Sequence, residues 1–83
     1  MFCYVYILTN PQNRIYIGCT EDLRERLRKH NDGYVQTTKF YKPWRIKAYF
    51  AFEDKYIAFN FEKYLKTGSG RAFLSKHGLR KLS

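Results

Sequence analysis

Residues Tyr4–His30 read YVYILTNPQNRIYIGCTEDLRERLRKH. The stretch parses as a strand, a turn, a second strand ended by a glycine, and a helix. From Phe2 to Leu8 the residues alternate, with Val5 and Ile7 on one side and Tyr4 and Tyr6 on the other. Thr9 to Asn13 carry an Asn-Pro pair and a further Asn, all strong turn formers. Alternation resumes from Arg14 to Gly18, with Ile15 and Ile17 opposed to Tyr16. Pairing Leu8 with Arg14 across the turn sets Tyr6 opposite Tyr16, both rings on one face, because side chains alternate along a strand. Val5, Ile7, Ile15 and Ile17 then form an aliphatic face that receives helices.

Thr20 is placed to cap the helix that follows, from about Glu21 to His30, and Glu21 and Asp22 suit its positive end. Leu23 and Leu27 point inward. Arg26 and His30 lie on the edge of that stripe, Arg24 and Arg28 fall further out, and Lys29 faces solvent. Active-site groups commonly sit where a core meets a surface. On helix geometry alone, Arg26 equally fits a side chain that lays its stem over apolar surface. Asn31-Asp32-Gly33 ends the helix.

Tyr34 to Pro43 show no clear period. Lys39 and Lys42 are interleaved there with Phe40 and Tyr41, and Trp44 and Arg45 follow. Cations beside flat rings suit phosphates and unstacked bases. The same pattern fits rings that fill the core while the lysines face water. Trp44 to Glu53 then reads as a strand, with Trp44, Ile46, Ala48, Phe50 and Phe52 sharing one face.

Asp54 caps a helix that runs to about Thr67 and stops at Gly68, with Ile57, Ala58, Phe61 and Leu65 as its buried stripe. Glu62, the only acid from Lys55 to the end of the chain, falls about a quarter turn from the centre of that stripe at ~100° per residue. It is placed to pair with Lys66, four residues on. Gly68-Ser69-Gly70-Arg71 leads into a short helix ending near His77-Gly78. A Ser cap and an Arg at a helix start could hold a phosphate, or the segment is simply a helix–helix turn. Arg80 and Lys81 make a basic tail.

Eighty-three residues make one domain, 1–83. The 16 Phe, Tyr and Trp residues supply the bulk that a small core needs. Cys3 and Cys19 have no neighbours at metal-ligand spacing, which argues against a zinc site. Two thiols in a chain without a signal peptide fit a reducing cytoplasm. No apolar run approaches membrane-spanning length. Sixteen Lys and Arg against seven Asp and Glu give +9, a surface that attracts polyanions, nucleic acid first among them.

The ordered set of residues resembles the GIY-YIG nucleases over nearly the full chain, most closely the small bacterial single-domain members. Tyr16-Ile17-Gly18 keeps the second half of the signature. Tyr4-Val5-Tyr6 stands for the first half and keeps its tyrosine without its glycine. Arg26 lies where the family places its catalytic arginine, His30 matches the histidine one turn later, and Glu62 matches the metal-binding glutamate. This match favours a functional Arg26 over an apolar-surface role. Some members carry a lysine after the signature glycine, where this chain has Cys19. Larger members carry a further DNA-binding or repair domain.

The resemblance implies an α/β fold, with a small three-stranded antiparallel sheet flanked by helices. It also implies a divalent-metal-dependent endonuclease that hydrolyses phosphodiester bonds in DNA rather than RNA, branched or single-stranded DNA included. Catalysis is expected from Tyr6, Tyr16, Arg26, His30 and Glu62, with Glu62 holding Mg²⁺ or Mn²⁺. A lone carboxylate suits an ion that keeps its waters. Arg24, Lys39, Lys42, Arg45 and Arg71 are the candidate nucleic-acid contacts. Specificity must come from this basic surface, a protein partner or a homodimer. The alternative is a non-catalytic nucleic-acid-binding module or interaction subunit with the same fold.

Overall fold

The hairpin register sets everything downstream. In the computed structural model, which describes residues 1–80, β1 (Cys3–Thr9) pairs antiparallel with β2 (Ile15–Thr20). Thr9 faces Ile15, Leu8 faces Tyr16 and Tyr6 faces Gly18. The expected pairing of Leu8 with Arg14 is therefore displaced by two residues. A slip of two preserves which face each side chain takes, so both tyrosines still share one side.

The cause is the buried Asn10, whose Oδ1 accepts from the amides of Gln12 (3.1 Å) and Arg14 (2.8 Å). Its side chain thus closes the turn that the backbone would otherwise continue as ladder. Asn13 follows in the left-handed region at φ 63°.

Three helices and a third strand follow among the described residues: α1 (Leu23–Asn31), β3 (Arg45–Phe52), α2 (Lys55–Leu65) and α3 (Gly68–Lys76). The sheet order is β2-β1-β3, all antiparallel, so β1 is central and β2 has a free edge. Cys3, Val5 and Ile7 pack on one face against Ala58, Leu65 and Leu74 of α2 and α3. Tyr6, Leu8 and Trp44 pack on the other, joined by Leu23 and Leu27 of α1. The three-stranded antiparallel sheet with flanking helices is the architecture expected.

Four local readings change. A bulge separates the pair Ile7–Ala48 from Leu8–Ile46, leaving Lys47 unopposed. Trp44 and Ile46 consequently turn towards Tyr6 and Leu8, while Ala48, Phe50 and Phe52 join the opposite core. The five residues do not share one face. Second, Asp22 caps α1 by accepting from the Glu25 amide at 3.0 Å, and Thr20 closes the preceding turn on the Asp22 amide at 3.1 Å. Third, Asp54 caps α2 as expected, but α2 ends at Leu65 and Thr67, not Ser69, caps α3. A Cβ at Gly70 would stand 2.6 Å from the Tyr64 carbonyl carbon, so only glycine lets α3 cross the end of α2 this closely. Fourth, Ile57 is 55% exposed, outside the core stripe. Lys81 of the basic tail lies outside the described residues.

Candidate active site

Tyr6, Tyr16 and His30 meet on the α1 side of the sheet. Each ring comes from a different element: Tyr6 from the central strand, Tyr16 from the free-edge strand and His30 from the last turn of α1. The centroid of Tyr16 lies 4.7 Å from that of His30, and Tyr6 and Tyr16 are 6.2 Å apart. The Tyr6 hydroxyl is bonded to His30 Nε2 at 3.0 Å. His30 Nδ1 is 2.7 Å from Thr38 Oγ1, and that hydroxyl also reaches the Val35 carbonyl at 3.4 Å.

Every donor in this chain is satisfied when Thr38 donates to Val35 and His30 Nδ1–H donates to Thr38. Nε2 is then left to accept from Tyr6. His30 is fully buried, not placed at the rim of α1 as its helical position suggests.

Burial pushes the Tyr6 hydroxyl up to about 12, with charge on Tyr16 and Glu62 acting in the same direction and the Arg26 guanidinium opposing it. Tyr6 is therefore a neutral hydrogen-bonding group. Tyr16 is only half-buried, and its hydroxyl has no hydrogen-bond partner among the described residues. His30 is held below the ordinary histidine range by burial first and by Arg26 second, which keeps it neutral. Burial likewise pushes the Cys19 thiol up to about 12, reinforced by Cys3, whose sulfur is 3.1 Å away, and by Glu62. The charges of Arg26 and Glu62 thus act on the same two residues, Tyr6 and Cys19, although Arg26 stands on α1 and Glu62 on α2.

Glu62 is half-buried on α2, and its Oε2 accepts from Lys66 Nζ at 2.7 Å, the pairing its helical spacing predicts. No group of three or more His, Cys, Asp or Glu gathers at metal-ligand range among the described residues. A lone carboxylate with one oxygen outside its ion pair is a donor set that fits a hard divalent ion retaining its waters.

Of the expected nucleic-acid contacts, Arg71 lines a cleft that Tyr16 also lines. Lys39 lies 4.9 Å over the ring of Phe40, which is 79% exposed, so the rings of this loop do not all fill the core. Lys42 Nζ comes near Gly33, Arg45 stands exposed at the start of β3, and Arg24 is exposed on α1. The hydrogen bonds and ring contacts of the Tyr6–Tyr16–His30 cluster involve none of these five.

Two residues escaped the sequence reading. Thr38, which fixes the His30 ring, sits in a loop without periodicity and leaves no sequence signal. Asn31, the last residue of α1, also latches the helix, accepting from Trp44 N at 2.6 Å and donating to the Trp44 carbonyl at 3.0 Å. Its position beside a predicted helix end was the available clue.

Residues 2–75 match the family described as the GIY-YIG catalytic domain. The UPF0213 proteins of Streptococcus pyogenes serotypes M5 and M2 are each 30% identical over 79 residues, 89% of this chain and 86% of theirs. The solution NMR structure of a UPF0213 protein from Bacillus halodurans superposes with a TM-score of 0.58 at 34% identity, covering 95% of this chain and 85% of that one. No helix among the described residues is long and apolar enough to cross a membrane. With the family match running over residues 2–75 and both relatives and fold in agreement, the chain belongs to the GIY-YIG nuclease family.

Proposed function

We propose that the chain, as a single domain, is a divalent-metal-dependent endonuclease that hydrolyses phosphodiester bonds in DNA, and that it acts in a reducing cytoplasm. What supports this reading above all is the Tyr6 hydroxyl, bonded to a neutral His30 and exposed to the opposing charges of Arg26 and Glu62. A binding surface alone has no need for a carboxylate in that position, since a carboxylate repels the phosphates such a surface attracts.

Each residue then has a task. Arg26 grips the non-bridging oxygens of the scissile phosphate and stabilises charge as it develops on them. Tyr6, within the core, directs its proton to His30 and so fixes that ring against Tyr16. Tyr16, the phenol without a hydrogen-bond partner among the described residues, acts as the phenolate base: it takes the proton of the attacking water as the new P–O bond forms, while the bridging P–O bond opposite breaks and its oxygen leaves with a proton from solvent. Thr38 locks the His30 ring in the tautomer that this arrangement requires. Glu62 would hold Mg²⁺ or Mn²⁺, which supplies further positive charge to the phosphate oxygens when bound.

A second reading, binding without turnover, is favoured by the Glu62–Lys66 ion pair, which engages the carboxylate that a metal needs. Cleavage of duplex, single-stranded and branched DNA, and of RNA, with and without Mg²⁺, separates the two. Metal-dependent cutting of DNA that Glu62→Ala abolishes while retaining binding upholds the hydrolase. Binding without cutting under every condition upholds the second reading.

A further inference from the structure

Along the free edge of β2, opposite the start of α3, runs a cleft of about 480 Å³. That volume lies within the ~300–1,000 Å³ of sites that enclose a small molecule. Among the described residues four cations border it, Arg14, Lys66, Arg71 and Arg80, and no acidic side chain does. The Arg14 guanidinium is seated over the Tyr41 ring at 3.9 Å, which limits the freedom it loses on meeting an anion. Beneath the cations the floor is apolar, formed by Ile15 and Ile17 of β2 over Leu65 and Leu74. Tyr16 belongs to the cleft and to the His30 cluster alike, and Lys66 joins the cleft wall to Glu62 through its ion pair.

Cations above an apolar floor describe a ligand with an anionic part and a flat apolar part, linked at short range. We propose that this cleft is a subsite for one unpaired nucleotide of the substrate strand, next to the nucleotide being cut. Its phosphate lies on Arg71 and Arg14 and its base on Ile15 and Ile17. The proposal rests on the hydrolase reading and adds the strand state that the enzyme selects. A duplex offers this cleft only phosphates, because its base faces are stacked within the helix, and the apolar floor then goes unused. An unpaired nucleotide engages both parts, since every base has a face to stack whatever its sequence. The consequence is a preference for single-stranded or branched DNA with little sequence discrimination.

The test uses the whole chain in EDTA, where metal-dependent turnover is absent, with a ten-residue oligothymidylate and a blunt duplex as probes. Methyl NMR spectra are expected to show oligothymidylate shifting Ile15, Ile17 and Leu74, with the duplex leaving them in place. Arg71→Ala, at an exposed position, is expected to weaken oligothymidylate binding by about tenfold, the loss of one charge-assisted hydrogen bond, and duplex binding by no more than about twofold, because a duplex not seated in the cleft shares its phosphates among many cations. Arg71→Lys should recover most of the single-strand affinity. Equal losses on both probes, unmoved floor methyls, or no binding of the single strand each overturn the subsite. Cleavage is scored separately with Mg²⁺. A protein that never cuts but still separates the two probes refutes the hydrolase reading and leaves the cleft standing.

Discussion

Tyr6 faces Gly18 across the β1–β2 ladder, and its ring occupies the volume that a side chain at position 18 would need. A Cβ added at Gly18 would stand 2.6 Å from the Tyr6 Cζ, with the hydroxyl nearer still. The glycine of one strand is thus required by the tyrosine of the other, and the pair delivers the hydroxyl to His30. Gly18→Ala must push the ring aside within a packed core. The expected cost is ~1–3 kcal/mol from overpacking, read as a lower urea midpoint, together with loss of the Tyr6–His30 hydrogen bond. An unchanged midpoint and an intact bond would show that Tyr6 does not lie over position 18.

His30 gives the fold a pH dependence whose sign follows from its burial. Its folded-state value lies below the ordinary 6.5, so in the interval between the two the unfolded chain binds the proton that the folded chain refuses. Stability therefore rises with pH across that interval. It is fully present above ~6.5 and is lost as pH falls from there towards the folded value. Urea midpoints measured from pH 8 downward should hold level and then decline in the acid range of histidine. His30→Gln should remove that part of the decline. An identical profile in wild type and variant would assign the loss to other groups.

The backbone plan was legible because it depends on short-range alternation. Val5, Ile7, Tyr6 and Tyr16 take their faces from period two, and a register slip of two residues changes none of them. What alternation cannot reveal is an insertion. Trp44 to Phe52 look like one uninterrupted face, but Lys47 bulges out and divides them between two cores. The site shows the same limit. Tyr16, Arg26 and Glu62 stood out by their order along the chain, whereas the support of His30 by Thr38 closes through a loop of irregular backbone. Helical geometry put His30 on a rim because it takes no account of the 34–43 loop, whose Thr38 hydroxyl meets the ring at 2.7 Å.

Asn31 makes that loop's closure testable. Its amide bonds both backbone groups of Trp44, a buried residue, and so ties the end of α1 to the start of β3. Asn31→Ala strands the buried Trp44 N–H, an expected loss of ~1–3 kcal/mol. Trp44 is the only tryptophan in the chain, so its fluorescence reports the change directly, with a red-shifted folded spectrum as the ring gains water. Asn31→Asp retains the acceptor and should lose less. If both variants unfold at the wild-type midpoint, the latch does not hold the loop.

Arg26 carries the most demanding prediction because one side chain is given two effects. As the proposed phosphate clamp it needs its planar fork, so Arg26→Lys should keep the charge and the fold yet lower the cleavage rate by ~10²-fold or more. DNA affinity should change little, since many other cations contribute to it. As a nearby positive charge it also opposes protonation of His30. Removing that charge in Arg26→Ala makes the imidazole easier to protonate, so its titration by proton NMR should move up towards the ordinary histidine value, while Arg26→Lys leaves most of the shift in place. A rate loss without any movement of His30 in Arg26→Ala would separate the guanidinium from the imidazole, and with it the account of one convergent site.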